Sequence, residues 1–109
     1  MHELSIAQSV IVLAEGACSG RRIGKVTVEI GALAGVAGDA LAFCFDLATQ
    51  GTLAEGAALE MRRVEGLAEC ESCGATFPAA SHLPLCGCGS WKAHLVRGEE
   101  LRLSSIELL

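Results

Sequence analysis

The residues most able to do chemistry are the cysteines. Four of the six fall within nineteen positions, as Cys70-Glu71-Ser72-Cys73 and, after twelve intervening residues, Cys86-Gly87-Cys88. Two closely spaced thiolate pairs across a short loop are the usual way to build a tetrahedral zinc site. Zinc is redox-inert and accepts four thiolates, and four protein ligands leave no open position, so such a site is structural. The second pair is one residue tighter than C-x-x-C, and Gly87 and Gly89 are placed to permit the turn. Three cysteines with His82 form the competing ligand set. A redox pair usually opens a helix after a strand, whereas Cys70 to Cys73 runs into Gly74. Cys18 and Cys44 are isolated on or beside apolar helical faces and read as small buried hydrophobes.

The second constellation is the opening Met1-His2-Glu3. A free α-amine, the His2 backbone nitrogen and the His2 imidazole can wrap one ion through a five-membered and a six-membered chelate ring. Nickel(II) favours such nitrogen donors and takes tetragonal or square-planar geometry. Glu3 offers a carboxylate or its own amide. On residues alone a plainer reading competes: a helix start with an acidic residue in its first turn, beside an incidental histidine.

Both constellations need elements to hold them. Residues 4 to 17 have the period of an amphipathic helix, with Leu4, Ala7, Ile11 and Ala14 as one stripe and Ile6, Val10, Leu13 and Ala17 widening it. From 23 to 33 the period changes: Val26, Val28 and Ile30 alternate with Lys25, Thr27 and Glu29, which predicts a strand. Gly31 to Gly38 reads as a loop. Asp39 is placed to cap a second helix reaching Gln50, with Leu41, Cys44, Phe45 and Ala48 on one face and Gly51 as its stop. Ala57, Leu59 and Met61 mark a second strand. Leu101 and Leu103 mark a last one, and Ile106 and Leu108 continue it in the opposite phase, which predicts a bulge near Ser104-Ser105. The expected fold is α+β. Two helices pack on a small, about three-stranded sheet formed by residues 1-67 plus 93-109, with a zinc-ribbon-like module inserted over 68-92.

Composition narrows the function. About half of the residues are apolar (51%), enough for a core without disulfides. The formal charge is −5, with 8 basic against 13 acidic side chains and no basic run longer than Arg21-Arg22 or Arg62-Arg63, so a nucleic-acid or anionic-membrane footprint is missing. The apolar stretch from Leu4 to Leu13 is broken by Ser5, Gln8 and Ser9 and is too short to span a bilayer. The start carries no basic signal-peptide region. A cytoplasmic protein is expected, where clustered cysteines mean metal or thiol chemistry. No Ser/His/Asp pattern, phosphate loop or paired catalytic cysteine argues for an enzyme. A zinc-ribbon adaptor, or a nucleic-acid module using Phe77, Trp91 and Lys92, stands as the alternative.

Several segments taken together resemble one family. They are Met1-His2-Glu3-Leu4-Ser5 with Ala7, Thr27-Val28-Glu29-Ile30-Gly31, the two cysteine pairs, Gly89-Ser90, and the closing run from Gly98 through Leu101-Arg102-Leu103-Ser104-Ser105-Ile106 to Glu107. In order and at this spacing they resemble the HypA/HybF hydrogenase nickel-incorporation proteins over nearly the whole chain. The resemblance implies a nickel-binding domain joined to a structural zinc domain, with Zn(II) on Cys70, Cys73, Cys86 and Cys88. It implies Ni(II) as transient cargo on the Met1 amine, His2 and Glu3. It also implies partnership with a HypB-type GTPase and the large subunit of a NiFe-hydrogenase, in some members with urease maturation proteins as well, and it leaves homodimerisation undecided. Where the family shows Cys-Pro-x-Cys, this chain has Cys86-Gly87-Cys88 after Pro84, which keeps His82 and His94 in view as replacement ligands.

Overall fold

Among the described residues the chain forms two helices and six strands, and changes of hydrophobic period mark the helices and the longer strands. The computed structural model describes residues 2–109. The order is helix Glu3–Ala17 (α1), strand Ile23–Gly31 (β1), helix Gly38–Ala48 (α2) and strand Ala58–Val64 (β2). Strands Leu67–Cys70 (β3), Thr76–Pro78 (β4), Ala93–Arg97 (β5) and Leu101–Leu108 (β6) follow. The strands form two three-stranded sheets, ordered β2-β1-β6 and β4-β3-β5. The chain is α+β, as the sequence led us to expect.

Compactness divides the chain into two units, one of residues 1–29, 36–62 and 102–109, the other of residues 30–35 and 63–101. In the first, α1 buries Ala7, Val10, Ile11 and Ala14, an i, i+3, i+4, i+7 stripe. Leu4 and Leu13, expected on that stripe, are 44% and 59% exposed, so the buried face is narrower and turned toward Val10. The helix packs on α2, which buries Leu41 and Phe45, and β1 adds Ile23, Val26 and Val28 to this core. α2 begins two residues earlier than Asp39 would set it: Ala37 is the cap, and Asp39 sits inside the first turn, where the helix dipole favours it. Gly51, at φ +80°, turns the chain away after the helix. Ion pairs link the strands of the first sheet, Lys25 Nζ to Glu60 at 2.6 Å and to Glu107 at 3.7 Å, and Arg102 Nε to Glu29 at 2.6 Å. Exposed pairs of this kind add little stability each, up to about 1 kcal/mol. In β6 the half-buried positions are Leu103 and Ile106, an odd number of residues apart, so the inward phase changes along the strand.

The second unit holds strands that the sequence pattern did not reveal. β3 pairs antiparallel with β4 and with β5, and its register with β5 shifts between Leu67 and Ala68. Residues 31–33, 64–66 and 98–100 of this unit are joined backbone to backbone: Gly31 N–H donates to the Glu100 carbonyl at 2.7 Å, Ala32 N–H to Val64 at 2.8 Å and Leu33 N–H to Gly98 at 2.7 Å. The approach is so close that a Cβ on Gly31 would run into the Gly98 carbonyl, and one on Gly66 into the Ala79 carbonyl. Gly16, in α1, has nothing within 4 Å of where its Cβ would lie. Gly31→Ala and Gly66→Ala should therefore each destabilise the protein by about 1–3 kcal/mol. Gly16→Ala should stabilise it by about 0.5–1 kcal/mol through helix propensity alone. Urea denaturation of the metal-loaded protein reads all three, and a tolerated Gly31→Ala would contradict the packing described.

Candidate metal centre

Two turns and a short sheet bring the four clustered cysteines together. β3 delivers Cys70 at its end, opposite Ala93 of β5. The chain then folds back through a knuckle: Gly74, at φ +77°, donates its N–H to the Cys70 carbonyl at 2.9 Å, and Cys70 N–H donates to the Ala75 carbonyl at 2.9 Å. The second knuckle repeats the pattern one residue shorter. Gly89, at φ +92°, donates to the Cys86 carbonyl at 2.9 Å, and Cys86 N–H donates to the Ser90 carbonyl at 3.1 Å. This is how a C-x-C pair can stand where C-x-x-C is usual. The spacing between cysteines contracts, and the glycine that closes the turn moves in with it. Gly89 supplies the left-handed residue; Gly87 does not. The Ser72 and Ser90 hydroxyls, 2.8 Å apart, tie one knuckle to the other.

The sulfurs converge. Cys70 Sγ lies 3.7 Å from Cys88 Sγ and Cys73 Sγ 3.6 Å from Cys86 Sγ, and all four lie within 4.8 Å of one another. Four thiolates around a tetrahedral cation at about 2.3 Å stand about 3.8 Å apart, so the donor set and its spacing fit such an ion. None of the six cysteines is in a disulfide. Cys70 and Cys86 are buried, while Cys73 and Cys88 face solvent. The thiols are electrostatically unequal. The Cys73 N–H, donated to Cys70 Sγ at 3.5 Å, leads the effects that bring the Cys70 thiol down to about 6 against its burial. The Cys88 backbone N–H draws Cys86 the same way, but burial and the surrounding sulfurs outweigh it and push that thiol up to about 12. A cluster with one ready thiolate and one reluctant thiol is poised to take up a cation and lose protons on doing so.

Neither histidine considered as a replacement ligand joins this cluster, which among the described residues is made of the four cysteines. His82 Nε2 lies 3.3 Å from Glu99. His94 stands on β5 between two carboxylates, with Nε2 3.4 Å from Glu69 and Nδ1 3.5 Å from Glu71. Cys18 is fully buried, its Sγ donating to the Glu15 carbonyl at 3.3 Å, and Cys44 is half-buried.

The opening triplet is arranged differently. Met1 lies outside the described residues. His2 is exposed at the N-cap of α1, and its carbonyl accepts from Ser5 Oγ at 2.9 Å and from Ile6 N–H at 3.0 Å. Glu3 is buried at the first position of α1, and its Oε2 accepts the Ala37 N–H at 3.2 Å. This partner of Glu3 was not legible in the sequence, because nothing in the pattern couples position 3 to position 37.

Comparison with known proteins finds similarity along nearly the whole chain. Residues 1–108 match the family described as "Hydrogenase/urease nickel incorporation, metallochaperone, hypA". Similar curated proteins include hydrogenase maturation factors HypA of Geobacter metallireducens, 48% identical over 99% of both chains, and of a Nostoc species, 40% identical over 99% of this chain and 96% of its own. Among solved structures, that of the Ni metallochaperone HypA from Helicobacter pylori superposes with a TM-score of 0.72 at 27% identity, covering 100% of this chain and 98% of the other.

Removal of the thiolate-bound ion by a strong chelator should abolish amide-exchange protection across residues 67–97 and leave α1 and α2 protected. Cys73→Ser should weaken protection in the same region. At neutral pH, ion uptake should release protons, Cys86's among them, measurable by calorimetry in buffers of different ionisation enthalpy. Full protection of this region in metal-free protein would contradict the site.

Proposed function

The chain belongs to the HypA family of nickel-incorporation metallochaperones that serve hydrogenase maturation, and we propose that it carries Ni(II) on its first residues while a Zn(II) ion on Cys70, Cys73, Cys86 and Cys88 holds the second unit together. The donors assigned to nickel are the Met1 amine, the His2 backbone nitrogen and the His2 imidazole, with the Glu3 backbone nitrogen completing the site. The observation that carries this reading is the exposed His2 at the cap of α1. There the imidazole is open to solvent, and the backbone nitrogen belongs to the set of N–H groups that a helix leaves outside its own ladder.

The position also suits a carrier. The N-terminal end of a helix is its positive pole, so a dication there is held by its donors against the helix dipole. Such an ion is easier to surrender than one enclosed by four thiolates. In this division of labour zinc supplies the fixed shape of the cysteine unit, and nickel is cargo. The domain that binds nickel is the α+β part of the chain, and the zinc module carries the cysteines. The proposed recipients and helpers are a HypB-type GTPase, the large subunit of a NiFe-hydrogenase and, where urease is made, its maturation proteins. Among the described residues no helix is long and apolar enough to cross a membrane, and the proposed setting is the cytoplasm. The zinc-only adaptor and nucleic-acid readings draw no support from the relatives.

Calorimetric nickel titration at fixed pH tests the terminus. Residues added before Met1 convert the amine to an amide and should weaken nickel binding as strongly as His2→Ala, each by tenfold or more on the order of one lost donor. Affinity should also fall as pH drops, because both donors must lose protons to bind the ion. Zinc content should not change in either variant. Native nickel affinity in His2→Ala would overturn the assignment of the terminus.

A further inference from the structure

Glu3 is the buried member of an otherwise exposed terminus. It is 6% exposed, against an open His2 immediately before it. Burying a carboxylate is unfavourable unless hydrogen bonds replace its water. Part of the replacement comes from a different element: the Ala37 N–H, 34 residues away, donates to Glu3 Oε2 at 3.2 Å. Ala37 is the N-cap of α2, its methyl side chain cannot cap, and α2 has no side-chain cap bond of its own. The first residue of α1 therefore supplies the anionic oxygen that the start of α2 lacks, where both an unpaired N–H and the helix dipole favour it.

We infer that Glu3 is a positioning residue for the nickel site, its carboxylate clamping the first turn of α1 to the cap of α2 so that the His2 donors leave a fixed base, and that the oxygen engaged in this clamp is not itself a nickel donor. The inference rests on the assignment of nickel to the terminus. The geometry behind it is directional. An oxygen that accepts a backbone N–H at the start of α2 is oriented by that bond, and turning it toward a metal would leave the Ala37 N–H without its acceptor. The clamp also acts where it matters most for chelation. His2 is one bond away along the chain, and the chelate rings close only if its backbone nitrogen and imidazole are presented together. Fixing the next residue removes freedom that binding would otherwise have to quench.

Ala37 allows the clamp to be cut without touching Glu3. Its φ of −84° and ψ of +114° suit proline, which has no N–H to donate. Nickel titration, with the ligand-field spectrum of the bound ion, is compared in native protein, Glu3→Gln, Glu3→Ala, Ala37→Pro, the Glu3→Ala/Ala37→Pro double variant and His2→Ala. Glu3→Ala and Ala37→Pro are expected to weaken nickel binding by the same factor, about three- to tenfold, the scale of one hydrogen bond's net contribution. The spectrum should stay native, and the double variant should be no weaker than either single one. Glu3→Gln keeps an acceptor oxygen and should stay within about twofold of native.

A changed spectrum in Glu3→Ala with native affinity in Ala37→Pro would make the carboxylate a donor and overturn the inference. Lower melting temperatures with native nickel affinity in both would make the clamp merely structural and overturn it too. If Ala37→Pro does not fold, Glu3→Gln decides alone: native affinity supports the clamp, and a loss equal to that in Glu3→Ala overturns it. Native affinity in His2→Ala is a separate result, since it removes nickel from the terminus altogether.

Discussion

The constraint on which the second unit depends is the poverty of its interior. Its buried apolar side chains are Ala68, Cys70, Ala79, Pro84 and Cys86. Two alanines, two cysteines and a proline remove little apolar surface from water, while ordering a chain of this length costs about 1–2 kcal/mol of backbone entropy for each residue fixed. A unit of this kind needs a crosslink, and four sulfurs at tetrahedral spacing are the only group in it able to supply one. The first unit needs none, since Phe45, Leu41, Ile23, Val26 and Val28 give it a conventional core.

That contrast explains why the two candidate sites are built so differently. The thiol cluster is closed: two knuckles, each shut by a left-handed glycine, surround the ion position with protein ligands on every side. The terminus is open: one exposed histidine stands at the positive end of a helix. What the terminus requires is a firm attachment, and the Glu3 carboxylate against the cap of α2 gives it one without covering His2. Under the proposed assignment, an ion meant to stay and an ion meant to leave are distinguished by donor type and access.

Much of this was legible in the sequence, for identifiable reasons. The change of period at Ile23 located α1 and β1, and the paired cysteines announced their own convergence because four thiols so close in sequence have few other uses. What the sequence hid was governed by tertiary partners. Leu4 and Leu13 satisfy the helical period yet lie outside the buried stripe, because position on a helix does not say which side the neighbours take. Asp39 has a good capping side chain, but the cap falls on Ala37, whose N–H is met by Glu3 from another helix. β3, β4 and β5 are short and hold few alternating aliphatics, so neither length nor pattern marks them. The shortened Cys86-Gly87-Cys88 turn looked anomalous until Gly89 was seen to close it one residue early.

The central claim is that one chain holds two metals with two different jobs. The most direct measurement loads the native-terminus protein with both ions and titrates it with a competing chelator, following protein-bound nickel and zinc in the same samples. The account predicts that nickel leaves at a chelator strength that leaves one zinc bound to each chain and residues 67–97 protected from exchange. Departure of both metals together, or of zinc before nickel, would contradict it.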